Sequence, residues 1–401
     1  MLKRSNRYIT SYSKDPLRKK ILGAPCDKVA KDDENYWDRL SQAHKLKHIL
    51  LAEPATEQEQ TLLSQGLDPK FSYSIVQISD STTTQRFVQI RNPWSGLNNL
   101  TELGKKSAEI AQMLNSTNTN DAQKDLDSTL IWLDFKDFKS LFGSTFINKV
   151  HDGYGYEDIS VRHLPNAFSA VKFKIGKTVQ GFLEVIQIDK RFFIANPTYK
   201  YPMLRLILAR ENASASYEIL QSRATKNSKS NYIEINLSEG SYVLIVLADW
   251  DEEIHDLKVS FYGNTRINLE RVNTKYHPDL LEKILSTEAI ARGKQKPFSD
   301  KEKIKKFEII DESGGLVIES FVNETTNSII VKKQLKAIEN LTLYYPITST
   351  KKNDIADLPK HIELEIDPGS TRCFVYKKMY LPTPHILEST DRYSQIFILN
   401  H

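Results

Sequence analysis

Carboxylate side chains crowd one short stretch past the middle of the chain. They are Asp249, Asp251, Glu252, Glu253 and Asp256. Hard oxygen ligands of this kind suit calcium. Trp250, Ile254 and His255 interrupt the run, however, and its spacing is not that of an EF-hand loop. We therefore predict a plain acidic hairpin loop without tight calcium binding, with a calcium site as the alternative.

Histidine and cysteine offer little further chemistry. His44 and His48 have the four-residue spacing of a helical metal pair, but no Glu follows His44 and no third ligand is evident, so we predict two solvated histidines. Cys26 and Cys373 lie far apart, which indicates neither a disulfide framework nor a zinc site and favours a reducing compartment. We expect Cys373 to be a buried apolar residue. Motifs for phosphate loops, zinc proteases and serine hydrolases are missing, so no cofactor is expected.

A β-hairpin is predicted between residues 71 and 96. Bulky and small residues alternate on both sides of a polar turn, and the second run ends in Asn92-Pro93-Trp94. With Ser81 and Thr82 as the loop, Phe71 should face Asn92 to within one residue of register.

This hairpin resembles the second half of the papain-like core of calpains. In that family the first strand carries the catalytic His in a motif close to Gly-His-Ala-Tyr-Ser-Val, and the second runs into Arg-Asn-Pro-Trp-Gly. The corresponding segments are residues 70–75 and 91–95 of this chain. Residues 131–138 are similar to the family's aromatic Phe-Trp-Met-Ser-Phe-x-Asp-Phe run, and the matches follow the family's order.

The same resemblance implies that catalysis is absent. Phe71 stands at the position of the catalytic His, and a benzyl side chain cannot activate a thiol. The family's Cys lies in a large N-terminal subdomain, whereas about seventy residues precede this hairpin, and Cys26 lacks the Gln and Trp that flank that Cys. Phe71, Asn92 and Trp94 are therefore predicted to be vestigial positions of a pseudo-protease.

The predicted fold class is α+β. It comprises a truncated papain-like β-rich subdomain, a C2-like antiparallel β-sandwich and a second small β-sandwich-like domain. The C2-like assignment depends on the order in calpains and on residues 240–246 and 257–262, which resemble the last two strands of that domain. The predicted segments are 1–34 (basic extension), 35–160 (calpain-like), 161–272 (C2-like sandwich), 273–300 (helix and linker) and 301–401 (second β-rich domain).

Helical signals lie between these β-rich segments. Apolar spacing predicts a helix after Asn35 and another between residues 101 and 114. Thr56 and Glu59 form a capping-box signature for a short helix closed by Gly66. A further helix is predicted from His277 to Gly293, followed by a basic linker or exposed edge at residues 294–306.

Charge and hydropathy constrain partners and location. The net charge of +4 is too mild to predict a nucleic-acid partner. The first twenty residues hold seven basic residues and one acid, which predicts a solvated tail. The alternative is contact with an acidic surface, such as nucleic acid, anionic lipid or an acidic protein lattice like tubulin. No secretory signal or membrane-spanning run is evident, so a cytoplasmic location is expected.

Two classes of function follow. The resemblance favours a catalytically inactive, structural or scaffolding protein that binds other proteins in a large intracellular assembly, with the cytoskeleton or the ciliary axoneme as a candidate location. The alternative is a subunit of a calpain-type cysteine protease completed in trans by a Cys-bearing chain, or a calcium- and phospholipid-binding regulatory module.

Overall fold

The computed structural model describes residues 24–80, 85–92, 101–117, 129–165, 167–193, 199–213, 216–249, 255–298, 303–345, 361–379, 381 and 385–395. The chain divides into two compact units, Met1–Tyr154 and Gly155–His401. Each unit has its own β-sheets. In the described residues, no helix is long and apolar enough to cross a membrane.

In its described residues, the N-terminal unit is a six-stranded antiparallel sheet with four α-helices. Its strands are β1 (Cys26–Ala30), β2 (Ile49–Pro54), β3 (Tyr73–Asp80), β4 (Arg86–Arg91), β5 (Leu130–Asp134) and β6 (Phe142–Asn148), in the order β1-β6-β2-β3-β4-β5. Its helices are α1 (Tyr36–Lys45), α2 (Glu59–Ser64), α3 (Glu102–Thr117) and α4 (Phe135–Leu141). The helices predicted after Asn35 and near residues 101–114 are thus confirmed.

Aromatic side chains fill the core of this unit. Asp134 ends β5 and caps α4 by accepting a hydrogen bond from the Lys136 backbone N at 2.7 Å. This turn directs Phe135 against Trp37 of α1, with ring centroids 4.7 Å apart, and Phe138 against Phe142 at 5.0 Å. The aromatic run of residues 131–138 therefore serves packing.

The predicted capping box of α2 is wrong. Residues 56–58 form a 3₁₀ turn, α2 begins only at Glu59, and no side chain caps it. The Thr56 hydroxyl instead contacts the Glu57 carboxylate at 3.4 Å. Gly66 does close the helix, because its φ of +75° is the left-handed conformation that glycine adopts without strain.

The C-terminal unit begins with a β-sandwich, as predicted. Its strands are β7 (Gly155–His163), β8 (Phe168–Ile175), β9 (Val179–Ile186), β10 (Leu204–Glu211), β11 (Tyr217–Thr225), β12 (Ser230–Leu237), β13 (Gly240–Ala248), β14 (His255–Gly263) and β15 (Glu270–Val272). The sheets have the orders β11-β10-β13-β8-β15 and β12-β9-β14-β7. Branched and aromatic side chains from both sheets, such as Leu206, Leu244, Leu183 and Phe261, pack between them. The sandwich is confirmed, and its relation to C2 domains stays a prediction.

A second set of strands follows helix α5 (Leu280–Arg292). The strands are β16 (Lys294–Lys296), β17 (Ile304–Asp311), β18 (Leu316–Asn323), β19 (Ile329–Glu339), β20 (Leu341–Tyr345), β21 (His361–Ile366), β22 (Thr371–Lys378) and β23 (Ile386–Gln395). They form sheets of order β16-β17-β18-β22-β20 and β21-β19-β23. The apolar core between these sheets includes Val317, Phe321, Val331, Leu364 and Phe374. All paired strands are antiparallel.

Helix α5 is buried between the two sets of strands. Its Ile284 and Leu285 belong to one apolar cluster with Ile245 of β13 and Val375 of β22. Polar contacts join it to both sides: Glu282 accepts from the Arg372 side chain at 2.7 Å, and Glu288 accepts from the Ile219 backbone N at 3.4 Å. The five predicted segments stay a prediction as domain boundaries, but one apolar cluster contains residues of the first sandwich, of α5 and of the second set of strands.

Cys373 lies within this cluster and is fully buried, as predicted. Burial raises the pKa of its thiol well above the ordinary value, and the nearby Glu282 carboxylate raises it further. The thiol is therefore protonated at neutral pH and is a packing group.

Candidate functional site

The predicted register of the β3–β4 hairpin is wrong by two to three residues. Ser74 pairs with Arg91 and Ile75 with Ile90, and a β-bulge at Val76 shifts the remaining pairs by one more residue. Continuing the Ser74–Arg91 pairing by one step places Tyr73 opposite Asn92. Phe71 precedes β3. A bulge cannot be recognised from alternation alone, because the extra residue looks like any other strand position.

Asn92 has a structural position at the end of β4. Its side chain is 1% exposed, and its Nδ2 donates to the Gly66 carbonyl at 3.0 Å. Its backbone N donates to the Thr129 carbonyl at 2.7 Å. These two hydrogen bonds connect the end of the hairpin to the turn after α2 and to the residue before β5.

The start of β3 holds aromatic rather than imidazole groups. Phe71 is half-buried, and its backbone N donates to the Asp68 carbonyl at 3.3 Å. Tyr73 is completely buried, packs against Phe142 at 5.8 Å and donates its hydroxyl to Asp68 O at 3.0 Å. Burial raises the pKa of Tyr73 well above the ordinary tyrosine value of 10.0. Neither ring can serve as a general base near pH 7.

The thiol of this unit lies elsewhere in the sheet. Cys26 is on edge strand β1, and β6 and β2 separate β1 from β3. Three strand spacings place it about 14 Å from β3. Its Sγ lies 3.7 Å from the carbonyl of Asp27. Cys26 is therefore not adjacent to Asn92, and Trp94, the third predicted vestigial position, lies outside the described residues.

The two helical-spaced histidines do not converge on a metal. The His44 Nε2 lies 3.4 Å from the Val76 carbonyl, whereas the His48 Nδ1 lies 3.2 Å from the Val150 carbonyl. His48 also packs edge-on against the ring of His151, with centroids 4.9 Å apart. Across the described residues, no group of three or more His, Cys, Asp or Glu side chains is arranged to hold a metal ion.

The acidic run after β13 is not a hairpin loop, so that interpretation is wrong. Strands β13 and β14 lie in opposite sheets of the sandwich, so they are not the paired strands of one hairpin. In β-sandwiches many loops connect a strand of one sheet to a strand of the other sheet. The sequence does not distinguish such a loop from the loop of a hairpin. Asp251, Glu252 and Glu253 lie outside the described residues, and Asp256 is an exposed residue of β14.

The Asp249 carboxylate forms ion pairs with two basic side chains of the protein. Its Oδ2 is 2.7 Å from Nη1 of the fully buried Arg205, and its Oδ1 is 2.8 Å from the Lys377 Nζ. Burial alone would raise the pKa of Asp249, but Arg205 and Lys377 outweigh burial and lower it. Arg205 also donates to the Lys378 carbonyl. The carboxylate therefore joins the first sandwich to β22.

Sequence reasoning missed a second ionic cluster inside the last β-rich segment. Four charged side chains pair there: Lys306, Glu319, Lys333 and Asp391. A signal existed, because Lys333 continues the alternation of Ile329 and Val331 that faces inward on β19. A lysine at an inward position predicts a buried partner of opposite charge.

Comparison with known families identifies the N-terminal unit. Residues 12–149 match the family model described as calpain family cysteine protease. The chain therefore carries a calpain-family domain over these residues, which confirms the resemblance to that family. No curated protein matches the chain.

Solved structures that match are distant. The Yersinia pseudotuberculosis-derived mitogen is 12% identical with a TM-score of 0.22, and the match covers 30% of this chain and 95% of that one. The Momordica charantia 7S globulin is 4% identical, with a TM-score of 0.17 and coverage of 76% and 75%. The Bacteroides uniformis β-glucuronidase 2 is 8% identical, with a TM-score of 0.11 and coverage of 61% and 26%.

Proposed function

We propose that this chain is a catalytically inactive calpain-like protein that acts as a structural or protein-interaction component of a larger assembly inside the cell. In this proposal its N-terminal unit corresponds to the second half of a papain-like core. The observation that carries the proposal is Phe71, which stands at the position of the family's catalytic His.

The geometry of the hairpin supports this proposal. Thiol proteases need a thiolate, a base within hydrogen-bond reach and a third group that orients the base. Here the orienting residue, Asn92, donates its amide to a backbone carbonyl at 3.0 Å. Cys26 lies on edge strand β1, which is three strand positions from β3 and four from β4.

We expect the purified full-length protein to hydrolyse casein no faster than buffer, with or without calcium. The Phe71→His variant should be equally inactive, because restoring an imidazole brings no thiol to it. Release of labelled peptides from casein measures this. An active calpain-family protease serves as the positive control for the assay. Calcium-dependent cleavage by this chain that iodoacetamide blocks would overturn the proposal and favour a working cysteine protease.

The interaction role has a separate basis in the charge of the first twenty residues. Seven basic side chains accompany a single acid there: Lys3, Arg4, Arg7, Lys14, Arg18, Lys19 and Lys20. Exposed charge of one sign attracts an acidic protein surface and is largely screened above physiological salt. An acidic lattice such as tubulin, and with it a cytoskeletal or ciliary location, is the partner class that we propose.

Replacing those seven residues by glutamine should weaken co-sedimentation with microtubules by at least about threefold at roughly 50 mM salt and leave it unchanged at roughly 300 mM, because the Debye length shortens with salt. Replacing Ser5, Asn6, Thr10, Ser11 and Ser13 by alanine gives a matched control that keeps the charge. Binding of the charge-depleted variant that is as strong as that of wild type at roughly 50 mM salt would refute the electrostatic attachment. Deletion of residues 301–401 would not test binding alone, because it removes β18 and β22, whose side chains form part of the apolar core around α5.

A further inference from the structure

The second set of strands contains a cavity of about 520 Å³ between its two sheets. Most of its lining is polar or charged, from Lys306, Glu308, Glu319, Lys336, His385 and Ser389. The rest of the lining is apolar, because Val317 and Leu387 belong to the apolar core of the same sheets. Small-molecule sites typically measure about 300 to 1,000 Å³, so this cavity has room for a ligand of modest size.

Two lining residues of the cavity, Lys306 and Glu319, belong to a buried ionic network. Nζ of Lys306 lies 2.7 Å from Glu319 Oε1 and 2.5 Å from Asp391 Oδ2, and Nζ of Lys333 lies 2.9 Å from Glu319 and 2.8 Å from Asp391. These side chains are at most 11% exposed. Two cations and two carboxylates neutralise one another. Lys306 and Glu319 are thus held in place by a network that has no surplus of charge.

Lys336 supplies surplus positive charge at the cavity. Strand β19 pairs Leu335 with Ser389 and Ala337 with Glu388, so Lys336 is the extra residue of a β-bulge. Bulges change the direction of a side chain and are common beside binding sites. Lys336 is exposed and lines the cavity, and among the described residues it has no ion pair. Glu308, the remaining lining carboxylate, lies 3.6 Å from the Lys296 Nζ.

We propose that this cavity binds a small hydrophilic anion of the size of a sugar phosphate or sugar acid. The anionic group would pair with Lys336, and hydroxyl groups would donate to Glu308 and exchange hydrogen bonds with Ser389 and His385. An apolar ligand would strip water from these polar groups without replacing their hydrogen bonds, which disfavours it. The proposal is independent of the proposed scaffolding role.

Calorimetric titration of the full-length protein tests the ligand class with three probes of similar size: glucose 6-phosphate, gluconate and glucose. We expect at least one anion to bind with a dissociation constant of millimolar or tighter, and glucose to bind at least about tenfold more weakly. Binding of the phosphate alone or of gluconate alone supports the proposal and identifies the anionic group. Failure of both anions at about 10 mM, or equal binding of glucose, overturns it.

Variants of β19 test the role of Lys336. Lys336→Gln should lower the affinity for the anion by at least about tenfold, because a charge-assisted hydrogen bond is lost. The affinity of Lys336→Arg should stay within about threefold of wild type. Lys332→Gln is the matched control, since Lys332 pairs with Glu363 at 2.9 Å outside the cavity. An unchanged melting temperature excludes unfolding as the cause. Undiminished anion binding by Lys336→Gln would overturn the proposed site.

Discussion

Lys333→Met should destabilise the C-terminal unit by about 3 to 5 kcal/mol, because it leaves two buried carboxylates with one cation. Lys333 is 0% exposed and pairs with Glu319 and Asp391, which are themselves almost completely buried. Nζ of Lys333 also lies 5.6 Å from the centroid of the Phe374 ring, and methionine keeps most of the side-chain volume without the charge, so packing changes little. Urea unfolding of the full-length protein, followed by circular dichroism, measures the difference.

Lys332→Met is the control for Lys333→Met. Lys332 is on the same strand and pairs with Glu363, but both side chains are more than half exposed, so its loss should change stability by less than about 1 kcal/mol. The double variant Lys333→Met/Asp391→Asn should recover part of the loss, because one cation then faces one carboxylate. If Lys333→Met lowers the free energy of unfolding by less than about 1 kcal/mol, water or another group must stabilise the two carboxylates in place of Lys333.

Acid titration provides a second readout of the same network. Burial alone raises the pKa of Asp391, but Lys333 and Lys306 outweigh burial and lower it. A carboxyl group whose pKa is lower in the folded state stabilises the fold above its unfolded pKa of about 3.9 and loses that contribution as pH falls through the folded pKa. Wild type should therefore lose stability below about pH 4. Lys333→Met should show a flatter dependence there.

Ile284→Ala in helix α5 should cost about 2 to 5 kcal/mol and should destabilise both sets of strands together. Ile284 is completely buried in the cluster that contains Ile207 of the first sandwich and Ile318 of β18. Removing three carbon atoms leaves a cavity that side chains of two rigid sheets cannot close. Thermal and urea unfolding should show one transition for residues 155–395, shifted as a whole.

Ile290→Ala is the matched control for Ile284→Ala. Ile290 lies on the same helix but is 40% exposed, so its truncation removes fewer contacts and should cost less than about 1 kcal/mol. Two separate transitions, with Ile284→Ala shifting only one of them, would contradict the shared core and favour independently folding sandwiches.

Local patterns predicted much of the secondary structure. Strands β8 and β10 and helix α1 follow from alternation or from helical spacing, because these short-range signals need no knowledge of neighbours. Gly293 ends α5 as predicted, since the signal for helix termination lies in a single residue. The calpain resemblance was likewise carried by short motifs near Asn92 and Trp132.

Some signals for tertiary packing were present but ambiguous. Strand β13 reads as a continuous apolar run rather than an alternation, and in the structure Leu244 faces the sandwich core while Ile245 faces α5. A run of this kind indicates burial on both faces, but it does not say which element covers the second face. The position of α5 between two sheets was therefore not predictable from its own sequence.

The sequence by itself determined that the position resembling the catalytic His holds a phenylalanine, because residue identity needs no coordinates. Only the tertiary structure decided the neighbours of that position: the bulge at Val76 sets the register, Asn92 donates to Gly66, and Cys26 lies three strands away. The same holds for Asp249, which sequence placed in a candidate calcium loop and the fold placed against Arg205 and Lys377. Strand order, sheet crossing and charge pairing depend on contacts between residues far apart in the chain, and these contacts are settled by the free energy of the whole packed unit rather than by any local pattern.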